Sequence, residues 1–181
     1  MFGRLRGVSR LIVNAFTCGC GVLSESNEIL NEIRRNSKGK TLLVGRRVGH
    51  EKLDILGAVL RIEAKPGKYT TGGIVRPWET GLLAKFSVDD FDSVILHRFL
   101  YKPVKEYIED PVTILRDVKG ILRQEGRLIV NSYLLDDVTK SYQSADSFFT
   151  EEEMQSLLGK QSFRKMSRVV VGGSNIFVCE K

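Results

Sequence analysis

The chain has 181 residues, with 28 lysines and arginines against 22 aspartates and glutamates for a formal net charge of +6. That length suits one domain, or one domain with an arm, and no apolar run reaches the roughly twenty residues of a spanning helix, so no membrane crossing is expected. The basic excess permits an anionic partner such as RNA, although without a dense Lys/Arg run an ordinary solvated basic surface explains it more simply. Three cysteines, odd in number and without framework spacing, point to a reduced, cytoplasmic setting.

Residues 1–23 carry Arg4, Arg6 and Arg10 ahead of Leu11-Ile12-Val13. The apolar stretch is too short for the core of a secretory signal, about 7–15 residues, so the segment reads as an N-terminal arm or extra helix before a domain spanning 24–181. Cys18-Gly19-Cys20 with Cys179 could hold a soft metal, but a closed zinc site wants four ligands and the usual spacing is missing. Small, buried, inert thiols are the simpler reading.

A helix is expected from Ser24 to Arg35, capped by Ser24 or Ser26, with Glu28 in its first turn, Arg34 and Arg35 in its last, and Ile29, Leu30 and Ile33 on its buried face. Thr41 to Val44 is an apolar strand running into a turn that holds Gly45 and Gly49. A glycine turn at a strand end lets backbone N–H groups approach a nucleotide-like ligand, though glycines also end strands for no functional reason. Ala58 to Glu63 is a second strand. Glu63 lies 18 residues after Gly45, close to the spacing at which an acidic side chain in nucleotide-binding folds accepts from a ribose hydroxyl.

Lys65 to Thr80 is rich in glycine and proline and has no helical period. A third strand around Ile74-Val75 is therefore reached by an unusual, non-helical connection. Trp78, the single tryptophan, is either core or a stacking face for an aromatic ligand. Ser93 to Leu96 is a short apolar run suited to a strand buried on both faces, and it ends in His97-Arg98. Histidine at such an edge is a candidate for proton transfer, against the alternative of a structural role.

Asp110-Pro111 opens a helix, with Ile114, Leu115, Val118, Ile121 and Leu122 in its apolar stripe and Gly126 as its expected stop. Arg127 to Asn131 returns to strand. Strand, helix and strand make a βαβ unit, which lays two parallel strands side by side. The polar stretch Asp136 to Ser147 has room to act as a flap. Thr150 to Glu153 is a capping box, with Phe149 and Met154 placed as a staple. Val169 to Val171 and Ile176 to Val178 flank Gly172-Gly173-Ser174-Asn175, a hairpin signal.

This order, and several phrases within it, resemble the class I S-adenosylmethionine-dependent methyltransferases. Phe86 to Ile95 is similar to the family's approach to its fourth strand, where a Phe-Asp pair precedes the apolar run. Ile114 to Val130 is similar to its fourth helix and fifth strand, with Gln124-Glu125-Gly126 where Pro-Gly-Gly is usual. Phe148-Phe149-Thr150 resembles the start of its last helix, and Phe163 stands where a Gly-Phe pair introduces its final hairpin. Together these stretches lie within residues 24–181.

The resemblance implies an α/β fold: a Rossmann-like, mostly parallel sheet with helices on both faces and a C-terminal antiparallel β-hairpin. It implies S-adenosylmethionine as cofactor, with Val44, Gly45 and Gly49 along its backbone contacts and Glu63 on its ribose. Trp78 and Glu79, or Ser87 and Val88, would lie on the adenine side, and His97 or Arg98 would face an unidentified methyl acceptor. Two motif positions depart from the family pattern: Leu43 replaces an acidic residue and Arg47 a glycine. Arg46 or Arg47 could meet a carboxylate or fill the pocket. Two functions therefore stand side by side, a methyltransferase and a methyltransferase-like binding or regulatory module without catalysis, with another nucleotide ligand or RNA as further alternatives.

Overall fold

Along the central strands the side chains alternate between two apolar layers, as the two-residue period of an extended chain requires. Leu42 and Val44, Val94 and Leu96, Leu128 and Val130, and Phe177 with Cys179 belong to the larger layer. Leu43, Ile95, Ile129, Ile176 and Val178 belong to the other. The computed structural model describes residues 27–45, 60–63, 75–102, 109–135 and 148–181; the arm at 1–23, Gly49 and the 136–147 stretch lie outside them.

The described elements are α1 (Asn27–Asn36), β1 (Thr41–Gly45), β2 (Leu60–Glu63), β3 (Val75–Pro77), β4 (Phe91–His97), α2 (Pro111–Ile121), β5 (Leu122–Ser132), α3 (Glu151–Lys160), β6 (Arg164–Val171) and β7 (Ser174–Glu180). The strands form one seven-stranded sheet in the order β3-β2-β1-β4-β5-β7-β6. β1 to β5 are parallel, and β7 runs antiparallel to both β5 and β6. This is the expected α/β Rossmann-like sheet with a terminal hairpin.

Helices cover both faces. Ile29, Leu30 and Ile33 of α1 pack on the smaller layer, and Ile114, Leu115 and Val118 of α2 with Met154, Leu157 and Leu158 of α3 pack on the larger. The capping box of α3 is formed: Glu153 N donates to Thr150 Oγ1 at 3.2 Å, and Thr150 N donates to Glu153 Oε2 at 2.8 Å. The hairpin closes on two residues, Gly172 and Gly173, both at positive φ (56° and 74°). That pair of angles matches the right-handed twist of the flanking strands and suits glycine.

One expected boundary is overturned. Helix α2 is capped by Asp110, whose carboxylate accepts from Thr113 N, and carries Pro111 in its first turn, but it ends at Ile121 and not near Gly126. Asp89 N and Asp90 N donate to the carbonyls of Gly120 and Ile121 at 3.2 and 2.8 Å, which satisfies two of the carbonyls a helix end leaves open. Leu122 then turns to an extended conformation (φ −72°, ψ 137°) and pairs with Phe91 in the sheet. It is as buried as the helical stripe predicts, but as a strand residue. Glu125 takes the left-handed conformation at φ 60°, and Gly126 is needed for space, since an added Cβ would lie 2.8 Å from Arg123 O.

At the amino ends of β1 and β4, Asp92 gathers the chain. Its Oδ2 accepts from Lys40 N at 2.7 Å and its Oδ1 from Arg123 Nη1 at 2.9 Å. The Lys40 amide first, and then Arg123, hold the carboxyl below the ordinary aspartate range. A carboxylate whose folded pKa is depressed contributes stability in full above its unfolded value, and that contribution is lost as pH falls through the folded pKa. Asp92→Asn is expected to cost about 1–2 kcal/mol at pH 7. The difference from the parent should close as urea unfolding is repeated below about pH 4.

Candidate functional site

Parallel pairing brings the carboxyl ends of five strands to one edge, where open α/β sheets bind ligands. The register places Gly45 beside Glu63 on one side and beside His97 on the other. The same row continues from Glu63 to Pro77 and from His97 to Asn131. With strands about 4.8 Å apart, the Cα atoms of Glu63 and His97 stand about 10 Å apart across a residue that has no side chain. Three residues singled out in the sequence are thus gathered in one row, with Val44 just below Gly45 in the larger core layer.

Buried polar side chains separate into two groups. Thr41 and Ser93 lie at the amino edge and secure the turn before β1: Lys38 N donates to Ser93 Oγ at 2.8 Å, and Thr41 Oγ1 donates to Gly39 O at 3.2 Å. His97, Asn131, Ser132, Ser174 and Asn175 lie toward the carboxyl edge. Asn131 Nδ2 donates to Ser174 Oγ at 2.6 Å. Arg168 Nε donates to Asn175 Oδ1 at 2.8 Å while its Nη1 donates to Glu151 Oε2. Apart from His97, this group does not stand out as a site in the sequence. The available signal was Asn131-Ser132, a polar pair directly after the buried run Leu128 to Val130 and level with His97 on the neighbouring strand.

Arg98 follows at φ 50°, a left-handed conformation that is costly for a residue other than glycine. Its amide donates to Asn131 O at 2.8 Å, and its guanidinium stands 4.5 Å from the centre of the Tyr133 ring, a stacking contact suited to a planar cation. His97 and Arg98 therefore both engage the end of β5 or its row.

The remaining candidates lie elsewhere. Trp78 follows β3, is half-buried, meets Phe99 edge-on at 4.7 Å between ring centres, and packs against the larger core layer. Glu79 is exposed and pairs with Lys85 at 3.3 Å. Ser87 and Val88 cannot serve the adenine side, because they precede β4 at the opposite edge of the sheet and Val88 is 75% exposed. Leu43 is fully buried against Ile29, Leu30, Ile33 and Ile95, so this position is built into the core and offers no carboxylate. Cys179 is buried, and loss of water pushes its thiol up to about 12, which supports the inert reading for that cysteine. Among the described residues no three metal-ligating side chains gather, and no helix is long and apolar enough to cross a membrane.

No family model and no curated protein matches the sequence. Solved structures do match the fold. A Thermotoga maritima S-adenosylmethionine-dependent methyltransferase, described as a possible histamine N-methyltransferase, superposes with a TM-score of 0.61 at 16% identity, over 84% of this chain and 89% of that one. A putative methyltransferase from Haloferax volcanii, solved with the Trm112 methyltransferase activator, gives 0.65 at 13% identity over 83% and 87%. A Mesorhizobium loti S-adenosylmethionine-dependent methyltransferase gives 0.61 at 12% over 84% and 96%. This chain has the class I methyltransferase fold. Within that methyltransferase fold the row Glu63, Gly45, His97 occupies the edge at which ligands of open α/β sheets are held.

The Trp78–Phe99 contact ties the segment after β3 to the segment after β4. Phe99→Ala is expected to cost about 3–5 kcal/mol and to move the emission of the lone tryptophan to longer wavelength. Urea unfolding followed by fluorescence measures both.

Proposed function

We propose that this protein is an S-adenosylmethionine-dependent methyltransferase. The observation that carries the reading is the in-register row of Glu63, Gly45 and His97 at the carboxyl edge. Glycine at its centre removes a side chain where a guest must approach backbone, and Glu63 stands at a strand end suited to a ribose diol. The residues present thus fit the adenosyl part of the cofactor. Leu43 supplies no carboxylate for its amino-acid end, and Arg46 or Arg47 is the group proposed to meet the carboxylate there.

When bound, the cofactor would supply a methyl group on a sulfonium, for transfer to the acceptor's lone pair with the carbon–sulfur electron pair left on sulfur. What the chain contributes is alignment. His97, at the end of β4, takes the acceptor's proton where the nucleophile carries one. Arg98 stands next to it, stacked on Tyr133, as a cation on the acceptor side. The acceptor is proposed to be approached from the segments following β4 and β5.

Calorimetric titration with S-adenosylmethionine and with S-adenosylhomocysteine tests the proposal. Saturable heat is expected with both, reduced at least tenfold in affinity by Glu63→Ala, equivalent to about 1.4 kcal/mol. No heat at millimolar ligand would leave the alternative, a methyltransferase-like binding or regulatory module that no longer catalyses. Leu43 in the core is the observation that favours that second reading.

A further inference from the structure

We propose that Asn131, braced by Ser174, is a positioning residue that fixes the orientation of the His97 imidazole; this rests on the reading of His97 as the group facing the methyl acceptor. His97 and Asn131 are Cα partners on adjacent parallel strands, so their side chains project from the same face of the sheet. That face is the one carrying Ile95 and Ile129 two residues earlier on the same strands, covered by α1. Both residues are buried, Asn131 completely.

The Asn131 amide is only half used. Its Nδ2 donates to Ser174 Oγ, and its Oδ1 is buried with no partner among the described residues. Exchanging the oxygen and nitrogen of the amide moves the deficit to the nitrogen and does not remove it. A buried amide atom without a partner is costly and calls for an occupant. The polar side chain adjacent by register on that face is the imidazole of His97.

An imidazole N–H donated to Asn131 Oδ1, directly after a ring rotation or through one buried water, answers the deficit. It also places the ring proton on the inner nitrogen, so that the other nitrogen presents its lone pair to the carboxyl edge. Ser174 comes from the start of β7, two residues before the Ile176 that pairs with Asn131, and it holds the amide plane from the side opposite His97. An asparagine carbonyl orienting a histidine base is a chemically established arrangement on other folds. Here its parts come from β4, β5 and β7.

The chain has two histidines, His50 and His97, so a His50→Gln protein labelled with nitrogen-15 leaves one imidazole to observe. One tautomer is expected at His97, seen as two widely separated ring-nitrogen shifts at a pH where the ring is neutral. Asn131→Leu in that background is expected to draw the two shifts toward each other as tautomers mix, and Asn131→Asp to restore the separation, because a carboxylate accepts the same N–H. Ser174→Ala, a smaller change, is expected to give a partial version of the Asn131→Leu effect. Unchanged ring-nitrogen shifts in a folded Asn131→Leu protein would overturn the proposal; should that variant not fold, unchanged shifts in Ser174→Ala would do so. The readout needs no turnover. Tautomer mixing together with absent cofactor heat would support the positioning role while removing the methyltransferase reading.

Discussion

Parallel pairing of β1 with β4 is the constraint on which the rest of the molecule depends. It fixes, residue by residue, that Thr41 meets Ser93 at one end and Gly45 meets His97 at the other. Because side chains alternate along each strand, this single register also decides which face every apolar residue of both strands enters. A slip by one residue would carry Leu42 and Val44 into the layer of α1 and send Leu43 to the layer of α2. It would also separate Gly45 from His97. The core and the candidate site are therefore specified by the same set of contacts.

The amino edge shows how that register is secured. Lys38 is tied by its backbone to Ser93 and Lys40 to Asp92, and Asp92 is tied in turn to Arg123. An added Cβ at Gly39 would fall 2.2 Å from the Asp92 carboxylate, and the residue has φ 55°. At this end of the strands the side chains of Thr41, Asp92 and Ser93 are employed in local fastening. At the other end, His97, Asn131, Ser132, Ser174 and Asn175 are buried together.

Much of the architecture was legible because it rests on local signals that tertiary structure reinforces: the stripe of α2, the capping box of α3, the glycine pair of the hairpin, and the buried runs of β1, β4 and β5. The end of α2 was not legible. Its periodicity and Gly126 favour a longer helix, but Asp89 and Asp90, about thirty residues earlier in the chain, take over its last carbonyls, and Phe91 captures Leu122. No local pattern encodes that competition. Of the candidate site, His97 was visible through its residue type and Gly45 and Glu63 through their spacing. Asn131 and Ser174 were not, because their meaning arises only when β5 and β7 come together antiparallel. Ser87 and Val88 were misplaced for a related reason: adjacency to β4 in sequence did not reveal which end of the strand they precede.

Arg98 spends its backbone amide on the carbonyl of Asn131 and holds a left-handed conformation. The direction in which the chain leaves β4 is thus set by main-chain atoms and does not rely on the identity of the side chain. Glycine, asparagine or aspartate would occupy this conformation with less strain than arginine. Position 98 is consequently a place where the side chain beside the end of β4 could be exchanged during divergence while the scaffold beneath it stays put.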